Sequence, residues 1–195
     1  FLTQLTAVQA LDKQSPQNQQ VFDELFNSFH LYQQQFVSLV ETRIVMGLDE
    51  NSGHQGGFRQ AAHALEAKLA EAEFLHMYQL LLQMRRAEKD FLLRKNLKYV
   101  NKERALYSTL TQRIEAQSPF QYSQLMPLLI KYQHEFMQLV DAYRYVGLNH
   151  NTGLQGHFRD QAHLVEQNFV NLDHHLQQQV TAAQRRVEIT SVMIM

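Results

Sequence analysis

The chain carries its apolar residues at helical spacing almost throughout. Phe22, Phe26, Phe29, Tyr32 and Phe36 recur every three or four residues, and Phe120, Tyr132 and Phe136 keep the same period later. Leu80, Met84, Ala87 and Phe91 form one stripe; Leu176, Val180, Ala183, Val187 and Ile194 form another. No run alternates apolar and polar residues between turn signals, so strand content is predicted to be near zero. The aromatic set is expected in a core, where Tyr32 and Tyr132 could line a pocket with their hydroxyls.

Helix breakers are confined to a few places. All seven glycines fall in two clusters, Gly47, Gly53, Gly56 and Gly57, then Gly147, Gly153 and Gly156; the prolines are Pro16, Pro119 and Pro127. Gly47 and Gly147 stand where a helix ends in a left-handed residue. The Asn51-Ser52 and Asn151-Thr152 pairs are expected to cap the next helix. Ser15-Pro16 and Ser118-Pro119 each read as an N-cap followed by proline at the first helical position. A further turn is expected near Lys95-Asn96, a joint near Phe74-Leu75 and a bend at Pro127. Four limbs result: up to about residue 46, then about 56–94, 97–146 and 156 to the end. A limb of some 40 residues is roughly 60 Å long. The predicted fold is all-α, an elongated bundle of about six helices. It is expected to form two stacked four-helix bundles sharing long first and last helices, with both Gly-rich corners at one tip.

The two corners are copies of one another. Residues 32–69 align with 132–169 without a gap, and 16 of those 38 positions are identical. Gly47-Leu48 through Phe58-Arg59 matches Gly147-Leu148 through Phe158-Arg159, followed by His63 and Glu66 against His163 and Glu166. The register persists to Arg85-Arg86-Ala87-Glu88 and Arg185-Arg186-Val187-Glu188. Duplication of a helical hairpin is the simplest account.

Composition narrows the function classes. Lys+Arg number 18 against Asp+Glu 19, a net charge of −1, so no basic stripe points to nucleic acid. Without cysteine there is no disulfide, thiol nucleophile or Cys-ligated zinc. No run approaches the ~20 apolar residues of a membrane span. The chain opens on Phe1-Leu2 and turns apolar over 187–195, as expected of a segment lying between two spans. Among ten histidines no His-Glu-x-x-His string occurs, and nucleophile-elbow, P-loop and dinucleotide-binding signatures are absent. The expectation is a non-enzyme without cofactor or metal.

The doubled Gly-Leu…Asn-Ser/Thr-Gly-x-Gln-Gly-x-Phe-Arg…His…Glu corner resembles that of the helical bimodular sensor domains of bacterial methyl-accepting chemotaxis receptors. The string Met84-Arg85-Arg86-Ala87-Glu88-Lys89-Asp90-Phe91 is similar to theirs as well. The resemblance implies a single periplasmic sensor domain over 1–195, in an inner-membrane receptor whose transmembrane helices lie outside this chain. It implies a membrane-proximal module of about 1–15, 75–117 and 175–195 and a distal module of about 16–74 and 119–174. It further implies a small organic acid as ligand, bound between helices, and signalling as a homodimer. A histidine kinase or diguanylate cyclase is the alternative output. A bundle that docks a periplasmic binding protein at its Gly-rich tip is another reading, and a ligand-free structural rod a third.

Two groups of residues are candidates for recognition. Arg85, Arg86, Arg185 and Arg186 lie at equal distances from the corners, and guanidinium pairs suit a carboxylate buried between helices. Yet both pairs fall off the apolar stripes, so solvated arginines paired with Glu88 and Glu188, or a dimer contact, are equally open. Arg59, His63 and Glu66, and Arg159, His163 and Glu166, each share a helical face. They suit an anion site at the tip, or a clasp in which each arginine bonds carbonyls of the opposite corner.

Overall fold

The computed structural model describes Thr6, residues 16–71 and residues 74–194. The N-terminal helix expected before Pro16, the Ser15 cap and the Phe1-Leu2 opening lie outside the described residues. All regular structure described is helical. In chain order the helices are α1 (Pro16–Met46), α2 (Gly53–Glu71), α3 (Leu75–Arg94), α4 (Lys98–Glu115), α5 (Pro119–Val146) and α6 (Gly153–Ile194).

The expected breaks have clear local causes. Ser118 caps α5 by accepting a bond from Gln121 N–H at 3.4 Å, with Pro119 behind it, and the helix runs on through Pro127. Lys95 ends α3 in the left-handed region, φ 51°, and its N–H donates to Phe91 O at 2.7 Å. Gly47 and Gly147 take φ of 109° and 118°, and a Cβ on either would strike the carbonyl of Ser52 or Thr152. The corners differ from expectation in one detail. The Ser52 and Thr152 hydroxyls accept from Asp49 and Asn149 N–H rather than capping the following helix. The next helix is entered by backbone bonds instead, Gly56 N–H to Ser52 O and Gly156 N–H to Thr152 O.

Residues Ser38–Gly156 form one compact unit. Within it α2 through α5 pack as a four-helix bundle, each helix antiparallel to the next. Tyr78 of α3 bonds to Glu66 of α2 at 3.2 Å, and Arg85 lies 3.9 Å from the same carboxylate. Residues 12 and 19 apart meet only if the chain reverses. The limb expected over 56–94 is therefore a hairpin of α2 and α3, not one jointed rod. Gln133 of α5 likewise bonds to Glu103 of α4 at 3.2 Å. Phe58 of α2 packs on Tyr132 and Phe136 of α5, with ring centroids 5.4 and 5.6 Å apart. Leu65, Leu81, Met84, Phe91, Leu110, Ile114 and Leu129 fill the space between. Burying such side chains contributes about 1.5–3 kcal/mol each. Met46, at the end of α1, packs on Leu139 and Val146 of α5.

The other unit comprises Phe1–Val37 and His157–Met195. There the first part of α1 pairs antiparallel with α6. Phe22 and Leu25 close on Leu172, Asn168 donates to Ser28 Oγ at 3.1 Å, and Tyr32 stacks on Phe158 at 4.9 Å. Part of the expected core is solvent-facing: Phe36 is 49% exposed, Phe120 70%, Val180 58% and Val187 67%. Residues 75–117, expected to sit with 175–195 in one module, lie in the Ser38–Gly156 unit beside α2 and α5.

Candidate anion-binding pocket

Helix α3 supplies one wall of a pocket. Arg85, Glu88, Lys89 and Leu92 follow the three-and-four spacing of a single helical face, turned toward α2. Gln55, Phe58 and Arg59, from the first turns of α2, form the opposite wall, and Glu50 of the first corner closes the rim. The cavity measures about 360 Å³, room for a small organic molecule. The N-terminal end of α2 adds the positive pole of its dipole.

Charge is graded across this space. At the rim, Arg59 pairs with Glu50 at 2.9 Å and donates to Asn51 Oδ1 at 3.3 Å. Both partners are exposed, so the pair contributes little to stability. Deeper in, Arg85 is only 19% exposed and its buried Nη1 has no hydrogen-bond partner. Its closest carboxylate, Glu66 at 3.9 Å, already accepts from Tyr78 and faces His63 at 3.5 Å. An arginine donor left unbonded costs about 1–3 kcal/mol or more, and a bound anion oxygen would restore the bond.

Glu88 is the unusual group of the wall. It is 2% exposed, and the Tyr132 hydroxyl donates to its carboxylate. Burial, reinforced by the nearby Glu103 carboxylate, holds Glu88 well above the ordinary range against the pull of Arg85 and Lys89. Burial thus favours its protonated form, which can donate as well as accept. Glu103 is wholly buried; desolvation pushes it up to about 7, while the Gln133 bond and Arg104 pull it down. Glu88 and Glu103 with Tyr132 and Gln133 thus form a polar layer inside the α3–α4–α5 core.

The structure rearranges the sequence candidates. Arg59 and Arg85, drawn from two separate candidate groups, come together in this pocket because α3 folds back on α2. Arg86 is exposed beside it. Arg185 and Arg186 are exposed on α6. Arg185 only borders a surface depression lined by α6 residues such as His174 and Thr181. Arg159 and His163 are exposed, and His163 faces Glu166 at 3.3 Å, as His63 faces Glu66. The clasp is not formed as expected: Arg59 bonds its own corner rather than the opposite one.

Sequence reasoning took Glu88 only as a partner for solvated arginines and did not single out Lys89 or Glu103. The signal existed, since Leu81, Met84, Glu88 and Phe91 form an unbroken core stripe with an acid in it, as do Val100, Glu103, Leu110 and Ile114. An acid on a core stripe marks either a buried network or a site. Among the described residues, no group of three or more metal-ligating side chains occurs and no helix is long and apolar enough to cross a membrane. Comparison with protein-family models, curated proteins and solved structures found no match to the chain.

Proposed function

We propose that this chain is the ligand-binding input domain of a bacterial transmembrane receptor, non-enzymatic and facing the periplasm. Its ligand is a small carboxylate held between α2 and α3. The observation that carries the reading is Arg85: a largely buried guanidinium with an unbonded Nη1, lining a pocket beside the buried Glu88 carboxyl. Arg85 takes one carboxylate oxygen, Lys89 and Arg59 add positive charge at the mouth, and Phe58 with Leu92 receives the carbon skeleton. The ligand acts by favouring one packing of α2 against α3, which only a difference in affinity between packings can achieve.

Output through a methyl-accepting chemotaxis signalling region is the preferred assignment, with a histidine kinase or diguanylate cyclase as the alternative. In a homodimer, two α1–α6 pairs would complete a second four-helix bundle, the counterpart of α2–α5. Exposed Leu31, Val180 and Ile189 on those helices support this. Leu48, 75% exposed at the first corner, favours a second reading in which that corner docks a partner protein.

A thermal-shift screen against two- to six-carbon carboxylic and amino acids, followed by calorimetry, tests the proposal. A stabilising compound whose binding is lost in Arg85→Ala and kept in Arg186→Ala is the expected result. Stabilisation that is indifferent to Arg85, or none by any compound, counts against it.

A further inference from the structure

We propose, resting on the pocket reading above, that Glu88 is part of the binding site and that anion binding there is coupled to a proton held on its carboxyl group. Glu88 lines the cavity on the same face of α3 as Arg85 and Lys89. It is buried, with Tyr132 of α5 donating to it. The charged and titratable groups around it come from every helix of the bundle: Arg59 of α2 and Glu50 of the corner across the cavity, Arg85 and Lys89 on its own helix, Glu103 of α4, and the Tyr132 phenol of α5.

This placement decides the coupling. When Glu88 is ionised, Arg85 is the cation that stabilises it, and Lys89 helps. A carboxylate entering the pocket competes for that same guanidinium and brings a second negative charge beside Glu88. Two like charges cannot both stay desolvated at one arginine. Arrival of the anion therefore favours the form of Glu88 that holds its proton, a neutral acid beside a bound anion. The protonated acid is also a donor where the ionised one is a repellent. Because linkage is reciprocal, the factor by which the anion raises the proton affinity equals the factor by which the proton raises anion affinity. Glu103 strengthens the effect from behind, since its own negative charge further disfavours ionised Glu88. The domain then reports an anion and acidity together.

The test uses the whole chain, glutamate carrying 13C at its carboxyl carbon, and acetate as probe, with ionic strength held constant by sodium chloride. Carboxyl shifts are followed from about pH 6 to about pH 9, where acetate itself stays ionised. The resonance absent in Glu88→Gln reports Glu88, and Glu103→Gln separates its titration from that of its neighbour. The expected result is that acetate moves the Glu88 midpoint up by about one pH unit, with acetate affinity falling about tenfold across it. Glu88→Gln should bind acetate with no such pH dependence. Acetate binding that depends on Arg85 but leaves the Glu88 midpoint unmoved overturns the coupling while leaving the pocket reading intact. Acetate that shifts neither Glu88 nor any pocket resonance overturns both.

Discussion

The two copies of the duplicated segment begin alike and end differently. Both start at a Gly-rich corner and run down a helix, α2 in the first copy and α6 in the second. The first copy reverses after α2 and returns as α3; the second continues as one helix to Ile194. Composition of the returning stretch gives the reason. At Met77, Leu81, Met84 and Phe91, all at most 4% exposed, the second copy has Gln177, Thr181, Gln184 and Ser191. The apolar stripe of the first copy is covered by the bundle; that of the second leaves Val180 and Val187 exposed. Folding back is what carries Arg85 to Arg59. Arg185, 26 residues beyond Arg159 on a continuous helix, stays about 39 Å from it. A duplicated sequence thus forms this pocket in the copy whose second stretch folds back on the first.

The contrast can be broken most severely at that stripe. Leu81→Thr with Met84→Gln makes the first copy resemble the second; it should cost more than about 4 kcal/mol in urea unfolding. The mirror change Thr181→Leu, at an exposed site, should leave stability within about 0.5 kcal/mol.

The buried acid of α4 comes next, and the second copy has no counterpart of its bundle. Glu103 is neutral in the folded chain up to about pH 7 but ionises from about 4.5 once unfolded. Between those values the folded state holds the extra proton, so the contribution of Glu103 to stability is full at low pH and declines as pH rises toward 7, by about 3 kcal/mol. Glu103→Gln should make the decline shallower, leaving the part that belongs to Glu88, as read from melting temperature against pH.

For ligand binding, Arg85→Ala should weaken affinity by about tenfold to a hundredfold, the loss of a charged hydrogen bond, while Arg185→Ala should change nothing measurable by calorimetry. The smallest effect belongs to the second copy's exposed pair. His163→Ala removes its contact with Glu166 and should shift stability by less than about 0.5 kcal/mol.

Much of the fold is legible in the sequence. The Gly47 and Gly147 corners, the Ser118-Pro119 start and the Lys95 turn are all written in residues with special backbone demands. The reversal between α2 and α3 is not, since the sequence joining them, 70–74, includes neither glycine nor proline. It is dictated from a distance, by the need to cover Leu81, Met84 and Phe91. The site was legible only in pieces. Arg59 and Arg85 stand out by residue type, but their meeting depends on that unpunctuated turn. Glu88 and Glu103 are hidden because an acid on an apolar stripe looks like a polar interruption until the helix packs.

The most direct test of this account compares the two copies by distance. The chain has no cysteine, so paired spin labels can be placed at the exposed positions Gln60 and Gln83, and at their counterparts Asp160 and Ala183. Neighbouring helices lie about 8–10 Å apart, so the first pair should fall within about 25 Å with label length included. The second pair spans 23 residues of continuous helix, about 35 Å. A short first distance beside a long second one is the expected result. Equal distances near 35 Å in both copies would mean that α3 does not fold back, and that Arg59 and Arg85 never share a pocket.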